Sequence, residues 1–350
     1  MQRIPPFGGH SCIGKHGISF ERPTRRSLAC DRSSDQPPLM NTLHKTFLLA
    51  IATGLPLMQG NLHAQTLILD YDFNQVTGGG TTAPSTGGTT TSLNLYDSAG
   101  TLTNLHGAAG SGVSGNAGDL AFDNSASTGM GSGGTGGRAQ SGNISAINSL
   151  QSFTLTGWFK TGSTTAIGNN AFLINNQSGT TDGFRLYSGS TGALALNVNG
   201  VAVASSGAST YAATEAWVFF AVTYDGTLSS NNVKFYIGNT STATSLNVTR
   251  TLAQGTASAN SGGFAVGNVL SSNIRPFDGY LDNISVYGSQ TDGSGVLSLA
   301  QIESVRQADL VPEPANLAFL GCGAGLLAAI CRRRCALQKT ASAQRQHFCL

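Results

Sequence analysis

Cutting a glycosidic bond takes two carboxylates flanking it. Between Gln65 and Leu310 the chain has two glutamates, Glu215 and Glu303, far apart in sequence. No tight aspartate pair sits on one long strand-like run either, so the residues argue against acid–base catalysis. His106 is the single histidine of that stretch, and a Ser-His-Asp relay would have to be built around it. Its Gly-rich surroundings read instead as a solvated surface position. Cys12 and Cys30 lie before this stretch and Cys322, Cys331, Cys335 and Cys349 after it, with no Cys/His spacing that suggests zinc. Asp, Asn and loop carbonyls are plentiful, the hard oxygens that calcium takes. Trp158 and Trp217 are rings that could stack on sugars, yet each lies within an apolar run, which favours core packing. Tyr187, Tyr211 and Tyr287 are further candidates for stacking, and nothing distinguishes one from another.

These residues need a scaffold, and the composition indicates its kind. Of 350 residues 46 are glycine, 10% are charged and 40% are hydrophobic, too apolar for a long disordered chain. The net charge of +2 hides a segregation: between Gln65 and Val311 there are 13 Asp/Glu against 7 Lys/Arg. Nucleic acid is therefore excluded as a partner, since phosphate binding needs clustered cations. Without cysteine, this stretch must rely on an apolar core.

Short β-type runs fill it, separated by Gly, Ser, Thr and Asn. They start with Leu67 to Phe73 and continue through Leu120–Asp123, Phe153–Phe159, Ala171–Ile174, Gly183–Tyr187 and Leu194–Val198. Asn199-Gly200 then turns into Val201–Val203, as in a type I′ hairpin. The longest runs are Trp217–Tyr224, Val233–Gly238 and Tyr280–Tyr287, with Phe264–Gly267 between the last two. Thr77 to Thr91 reads as a flexible low-complexity loop. Leu299, Ile302 and Val305 predict one helix over Ser298 to Gln307. Many short strands with one closing helix predict a two-sheet all-β sandwich.

The two ends read as addresses. Residues 1–39 lack apolar periodicity. From Met40 a short basic segment, an apolar run at Phe47–Ala52 and Leu62-His63-Ala64 before Gln65 form a signal peptide over 40–64, cut between Ala64 and Gln65. Either translation starts at Met40 or the signal has an extended start; both leave 1–39 outside the mature protein. At the other end, Val311-Pro312-Glu313-Pro314 precedes the apolar segment Ala315–Cys331 and then Arg332-Arg333-Arg334. As a helix of about 1.5 Å rise per residue, that segment spans roughly 25 Å against a bilayer core of about 30 Å. The arginines hold its end in the cytoplasm.

The tail over 311–334 resembles the PEP-CTERM sorting signal. That resemblance implies an exosortase-type enzyme acting at Pro312-Glu313-Pro314, a transient membrane partnership through the C-terminal transmembrane helix, and 335–350 as a cytoplasmic tail. Residues 65–310 resemble the LamG-like, concanavalin A-like jelly-roll family. The likeness rests on Leu69–Phe73, Asp97-Ser98-Ala99-Gly100, Phe122-Asp123, Phe153–Phe159, the Trp217–Gly226 strand and turn, Phe277–Tyr287, and Leu297-Ser298 with Ile302. The Gly/Thr insert around Ser85 and the Gly-rich Gly129–Gly137 depart from the family pattern.

The family resemblance implies calcium at Asp97 and at Asp282 with Asn283. The alternative is that Asp97 caps a turn and Asp282 accepts hydrogen bonds from nearby amides. Glycoside hydrolases of the laminarinase type share the fold, but their Glu-x-Asp-x-x-Glu arrangement is missing here. The expected function is thus an exported surface or extracellular-matrix protein that binds carbohydrate or matrix components without catalysis. Two alternatives stand beside it: a glycoside hydrolase or lyase on the same fold, and a structural matrix protein without a specific ligand.

Overall fold

The computed structural model describes residues 65–311 except 162–169, 180, 190–191, 201 and 208–214. The signal peptide with Ala64, the sorting residues Pro312, Glu313, Pro314, Arg332, Arg333 and Arg334, and the expected helix over 315–331 lie outside the described residues. Among the described residues, no helix is long and apolar enough to cross a membrane.

Two antiparallel sheets face each other. The seven-stranded sheet runs in the order β1 (Leu67–Tyr71), β15 (Gly279–Ser289), β6 (Ser152–Thr161), β11 (Val218–Asp225), β12 (Val233–Asn239) and β13 (Ser245–Arg250), with β4 (Phe122–Asp123) also on β15. The eight-stranded sheet runs β10 (Ala202–Ser205), β9 (Leu194–Val198), β8 (Phe184–Ser188), β7 (Phe172–Asn175), β14 (Phe264–Val266), β5 (Arg138–Ser141), β3 (Ser92–Tyr96) and β2 (Thr82–Pro84). This is an all-β two-sheet sandwich of the jelly-roll kind.

The two-residue period of a strand decides what each sheet buries. On β6, Phe153, Leu155 and Phe159 point between the sheets and meet Phe184, Leu186 and Leu196 of the opposing sheet in one apolar core. Rings lock the layers together: Phe153 stacks on Phe184 with centroids 4.6 Å apart, and Tyr71 on Phe264 at 6.0 Å. The other side of β6 is covered too. The helix α1 (Leu299–Asp309) lies there, and Ile302 joins Trp158, Phe219, Tyr236, Leu297 and Val113 in a second cluster. Burial on both sides explains why β11 reads as a near-continuous apolar run. The helix starts on a capping box in which Ser298 and Gln301 bond reciprocally.

Some details differ from expectation. The Thr77–Thr91 segment is an ordered edge: it supplies β2, and Thr86 N and Thr89 N donate to Asp70 and Ile68 carbonyls. Backbone pairing replaces the apolar side chains that would have marked it as a strand. Asn199 and Gly200 both take the positive φ expected of them, at 55° and 69°. However, Val198 pairs with Ala202, which leaves three residues in that connection.

Candidate functional site

With α1 on the seven-stranded sheet, the outer face of the eight-stranded sheet is the face that the helix leaves uncovered. Register alone sets two rows of side chains across it. One row runs Asn94, Gln140, Ala265, Asn175, Arg185, Asn197, each paired with the next across neighbouring strands. In the parallel row Tyr96 pairs with Arg138, and further along Phe172, Tyr187 and Ala195 follow one another. The inward partners Leu95, Ala139, Ile174, Leu186 and Leu196 belong to the core. Amides, arginines and rings therefore share one face because aliphatic residues alternate with them.

Two arginine environments mark this face. Arg138 sits 4.6 Å over the Tyr96 ring, and its Nε donates to Gln140 Oε1 at 2.9 Å while Nη1 donates to Asn273 Oδ1. Arg185 lies 5.5 Å from the Phe172 ring centroid and 5.4 Å from that of Tyr187; Arg275, from the loop after β14, lies 5.9 Å from Phe172. Phe172 and Tyr187 themselves stack at 5.5 Å and 24°. Burial first, and also the charge of Arg275, hold the Arg185 guanidinium below the ordinary arginine range. Burial likewise pushes the Tyr187 phenol up. The amides beside Arg185 are pre-set: Gln177 Nε2 donates to Asn197 Oδ1 at 2.7 Å, and Gln177 N donates to Asn175 Oδ1 at 3.1 Å.

The expected calcium residues do not form one donor set. Asp97 follows β3 of the eight-stranded sheet, and its carboxylate accepts from Ala99 N, Thr101 N and Thr103 Oγ1. Those contacts, the Thr101 amide foremost, hold its pKa down. Asp282 lies in β15 of the other sheet, wholly buried, and accepts from Val113 N and Asn283 N, both at 2.8 Å. Asn283 takes a φ of 47° at the bulge between Asp282 and Ser285. Burial, then the charge of nearby Asp119, drive the Asp282 carboxyl well up. Asp309 of α1, half-buried, accepts from Trp158 Nε1 at 2.8 Å, and desolvation pushes its carboxyl up to about 8. Among the described residues, no three His, Cys, Asp or Glu side chains cluster together. The geometry of Asp97 is that of a turn cap, and Asp282 is a buried acceptor of backbone amides.

Other expected residues fall as follows. Trp158 is buried under α1, as core packing required, and Trp217 is half-buried beside Lys160 Nζ, 5.1 Å from its ring. Tyr287 packs against the cluster under α1; Tyr211 lies outside the described residues. His106 is not a solvated residue: it is half-buried, with Nδ1 2.7 Å from Phe73 O and Nε2 3.2 Å from Thr82 O. It ties the insert to β1. Glu303 binds Arg306 at 2.7 Å and accepts from Thr244 N, and Glu215 is exposed. A recess of about 380 Å³ beside Leu67, Thr89, Leu150 and Gln290 is lined by neither a ring nor a titratable group.

Arg185 and Arg275 escaped the sequence reading because they are far apart in the chain and each resembles a solvated cation. The usable signal was the alternation Phe184-Arg185-Leu186-Tyr187, which puts Arg185 beside Tyr187 on the outward side.

The sequence profile of the concanavalin A-like lectin/glucanases superfamily matches residues 133–295. No curated protein matches the chain. Among solved structures, similarity is found to domain 4 of AbnA, a GH43 extracellular arabinanase from Geobacillus stearothermophilus, in complex with arabinotriose. Identity is 14% over 69% of this chain and 98% of that one, with a TM-score of 0.42. The CBM40 of the Ruminococcus gnavus IT-sialidase is 18% identical over 46% of this chain and 85% of that one, with a TM-score of 0.35. An arabinofuranosidase complexed with arabinofuranosyl-alpha-1,2-xylobiose is 12% identical over 66% of this chain and 50% of that one, at 0.48.

Proposed function

We propose, for a chain whose residues 133–295 carry a concanavalin A-like lectin/glucanase domain, that it is an exported surface or matrix protein that binds polysaccharide without cleaving it. The binding surface in this reading is the outer face of the eight-stranded sheet. One observation carries it: a cross-strand file of amides and Arg185 on the sheet that α1 leaves uncovered, in which Asn94, Tyr96, Gln140 and Arg185 keep solvent exposure while Asn175, Asn197 and Tyr187 are buried. Planar amides and guanidinium groups hydrogen-bond sugar hydroxyls, and rings pack on the apolar faces of pyranoses.

A role without catalysis is supported by the glutamates. Glu303 is spent on Arg306, whose guanidinium holds its carboxyl far below the usual carboxylate range, and Glu215 is exposed. Export and exosortase-type sorting rest on the sequence of the two ends alone. Intact-mass analysis of the protein from its native host tests them: a chain that starts at Gln65 and stops near Pro312 is expected, and an uncut chain would refute the sorting.

A glycan array probed with the full chain tests the binding face. Tyr96→Ala and Gln140→Ala should each weaken binding roughly 3- to 10-fold, on the order of one or two lost hydrogen bonds or ring contacts. Retention of every glycan by both variants would move the binding surface elsewhere. Turnover of a bound polysaccharide would replace the binding role with catalysis.

A further inference from the structure

Arg185 and Arg275 are two like charges held against one ring without an opposite charge. Among the described residues, the charges that act on Arg185 are those of Tyr187 and Arg275, and neither is a carboxylate. Among the described residues the one ion pair is Arg306 with Glu303. The internal segments 162–169, 190–191 and 208–214 contain neither Asp nor Glu in their sequence, so they have no carboxylate to offer. Arg185 Nε is buried and without a hydrogen-bond partner, and so is Gln177 Oε1 in the amide network next to it. Placing two guanidinium groups together in a partly desolvated site is unfavourable unless an anion joins them. The phenyl ring of Phe172 is nearly inaccessible, so it serves as a floor that holds both cations by its face. Both arginine side chains are half-buried and keep some solvent exposure.

We propose that Arg185 and Arg275 together seat the carboxylate of an acidic sugar, a uronate-type residue within a polysaccharide. This deepens the binding function assigned to the same face and rests on it. Guanidinium groups pair with carboxylates through two parallel N–H···O bonds, a geometry that a single ammonium does not match. Asn175 and Asn197, both buried, flank Arg185 across the strands and are fixed there by Gln177. A densely charged polyanion suits the molecule less well. With 13 acidic against 7 basic residues between Gln65 and Val311, the rest of the surface repels it, whereas one charge per sugar ring needs only the local pair.

Homogalacturonan separates the charge from the backbone, because methyl esterification masks its carboxylates and leaves the polymer otherwise unchanged. The full chain is expected to bind the de-esterified form at least about tenfold more tightly than the esterified one, with a preference that falls as salt rises. Arg185→Gln and Arg275→Gln should each cut that preference several-fold, and the double variant should abolish it. Arg275 comes from a loop, so its variant tests the idea even where Arg185→Gln perturbs the sheet.

Equal affinity for the two forms, or a preference that survives in the double variant, would overturn the proposal and leave the wider binding function standing. Tighter binding to dextran sulfate or to DNA than to the uronate polymer would overturn the carboxylate assignment. Failure to bind any of these polymers, dextran included, would overturn both readings at once.

Discussion

At the scale of single residues, burial makes two aspartates unusual acids. An ordinary aspartate carboxyl would titrate at 3.8, and that of Asp309, at the end of α1, is pushed up to about 8. Between those values the folded protein keeps a proton that the unfolded chain releases, so stability falls as pH rises from about 4 to 8. Asp282 is shifted in the same direction and adds to the slope. Asp309→Asn keeps an acceptor for Trp158 Nε1 and removes its share. Thermal melts should show Tm at pH 8 raised by at least roughly 3 °C, since about 1 kcal/mol moves a domain of this size by about 2–4 °C. At pH 4 the variant should match the parent. An unchanged difference between the two pH values would contradict the proton held on Asp309.

Gly157 is a second residue with a defined task. It lies opposite the bulge of β15, and a methyl group there would stand 2.5 Å from Ile284 Cδ1 and 2.9 Å from Phe220 Cζ. Gly157→Ala should destabilise by about 1–3 kcal/mol through overpacking. Ile284→Val in the same chain removes the colliding methyl and should recover part of the loss in urea unfolding.

Among the elements, legibility followed burial. The strands β6, β11, β12 and β15 stood out because both or most of their faces are covered, and α1 because its apolar spacing begins at a capping serine. By contrast β2, β3, β5 and β13 were not read as strands. Arg138-Ala139-Gln140-Ser141 offers one core residue between polar neighbours, and Ser245–Arg250 is largely exposed on an edge. Two of the missed strands carry Asn94, Tyr96, Arg138 and Gln140, so half of the candidate face was hidden by the polarity that suits it to a ligand. Asp97 follows β3 of one sheet and Asp282 lies in β15 of the other, which a sequence motif does not reveal.

The helix gives the element-scale test. Ser298→Ala removes the cap and should destabilise by about 1 kcal/mol. Ile302→Ala empties a position packed with Trp158 and Phe219 and should lose about 2–5 kcal/mol. A near-neutral Ile302→Ala in denaturant titration would show that α1 is not part of the cooperative fold.

For the molecule as a whole, asparagines do the fastening that cysteines do in many secreted domains. Asn124 donates to the carbonyls of Gly137, Gly267 and Phe277 and accepts from Gly137 N. Asn232 ties Asp225 O to Leu252 in the same way, and Asn199 reaches Gln254, Thr256 and Ser258. Each clamp joins loops distant in the chain and gains nothing from oxidation. Asn124→Ala leaves buried backbone groups unpaired and should destabilise by at least about 2 kcal/mol. Thiol reductant should leave the melting of the parent unchanged, in keeping with a cysteine-free stretch; a shift would mean that the outlying cysteines crosslink this region.

Gln65 and Gln301 touch through their side-chain amides, and β1 lies beside β15, so the start and close of the sandwich are neighbours. A circularly permuted version, with a short bridge from Leu310 back to Gln65 and a new opening in the turn at Gly115, should keep its hydrogen-bonded order. By the same adjacency, a leash attached at either extremity pulls on one corner of the sandwich, and tension would peel β1 from β15 before it disturbs the arginine-bearing strands.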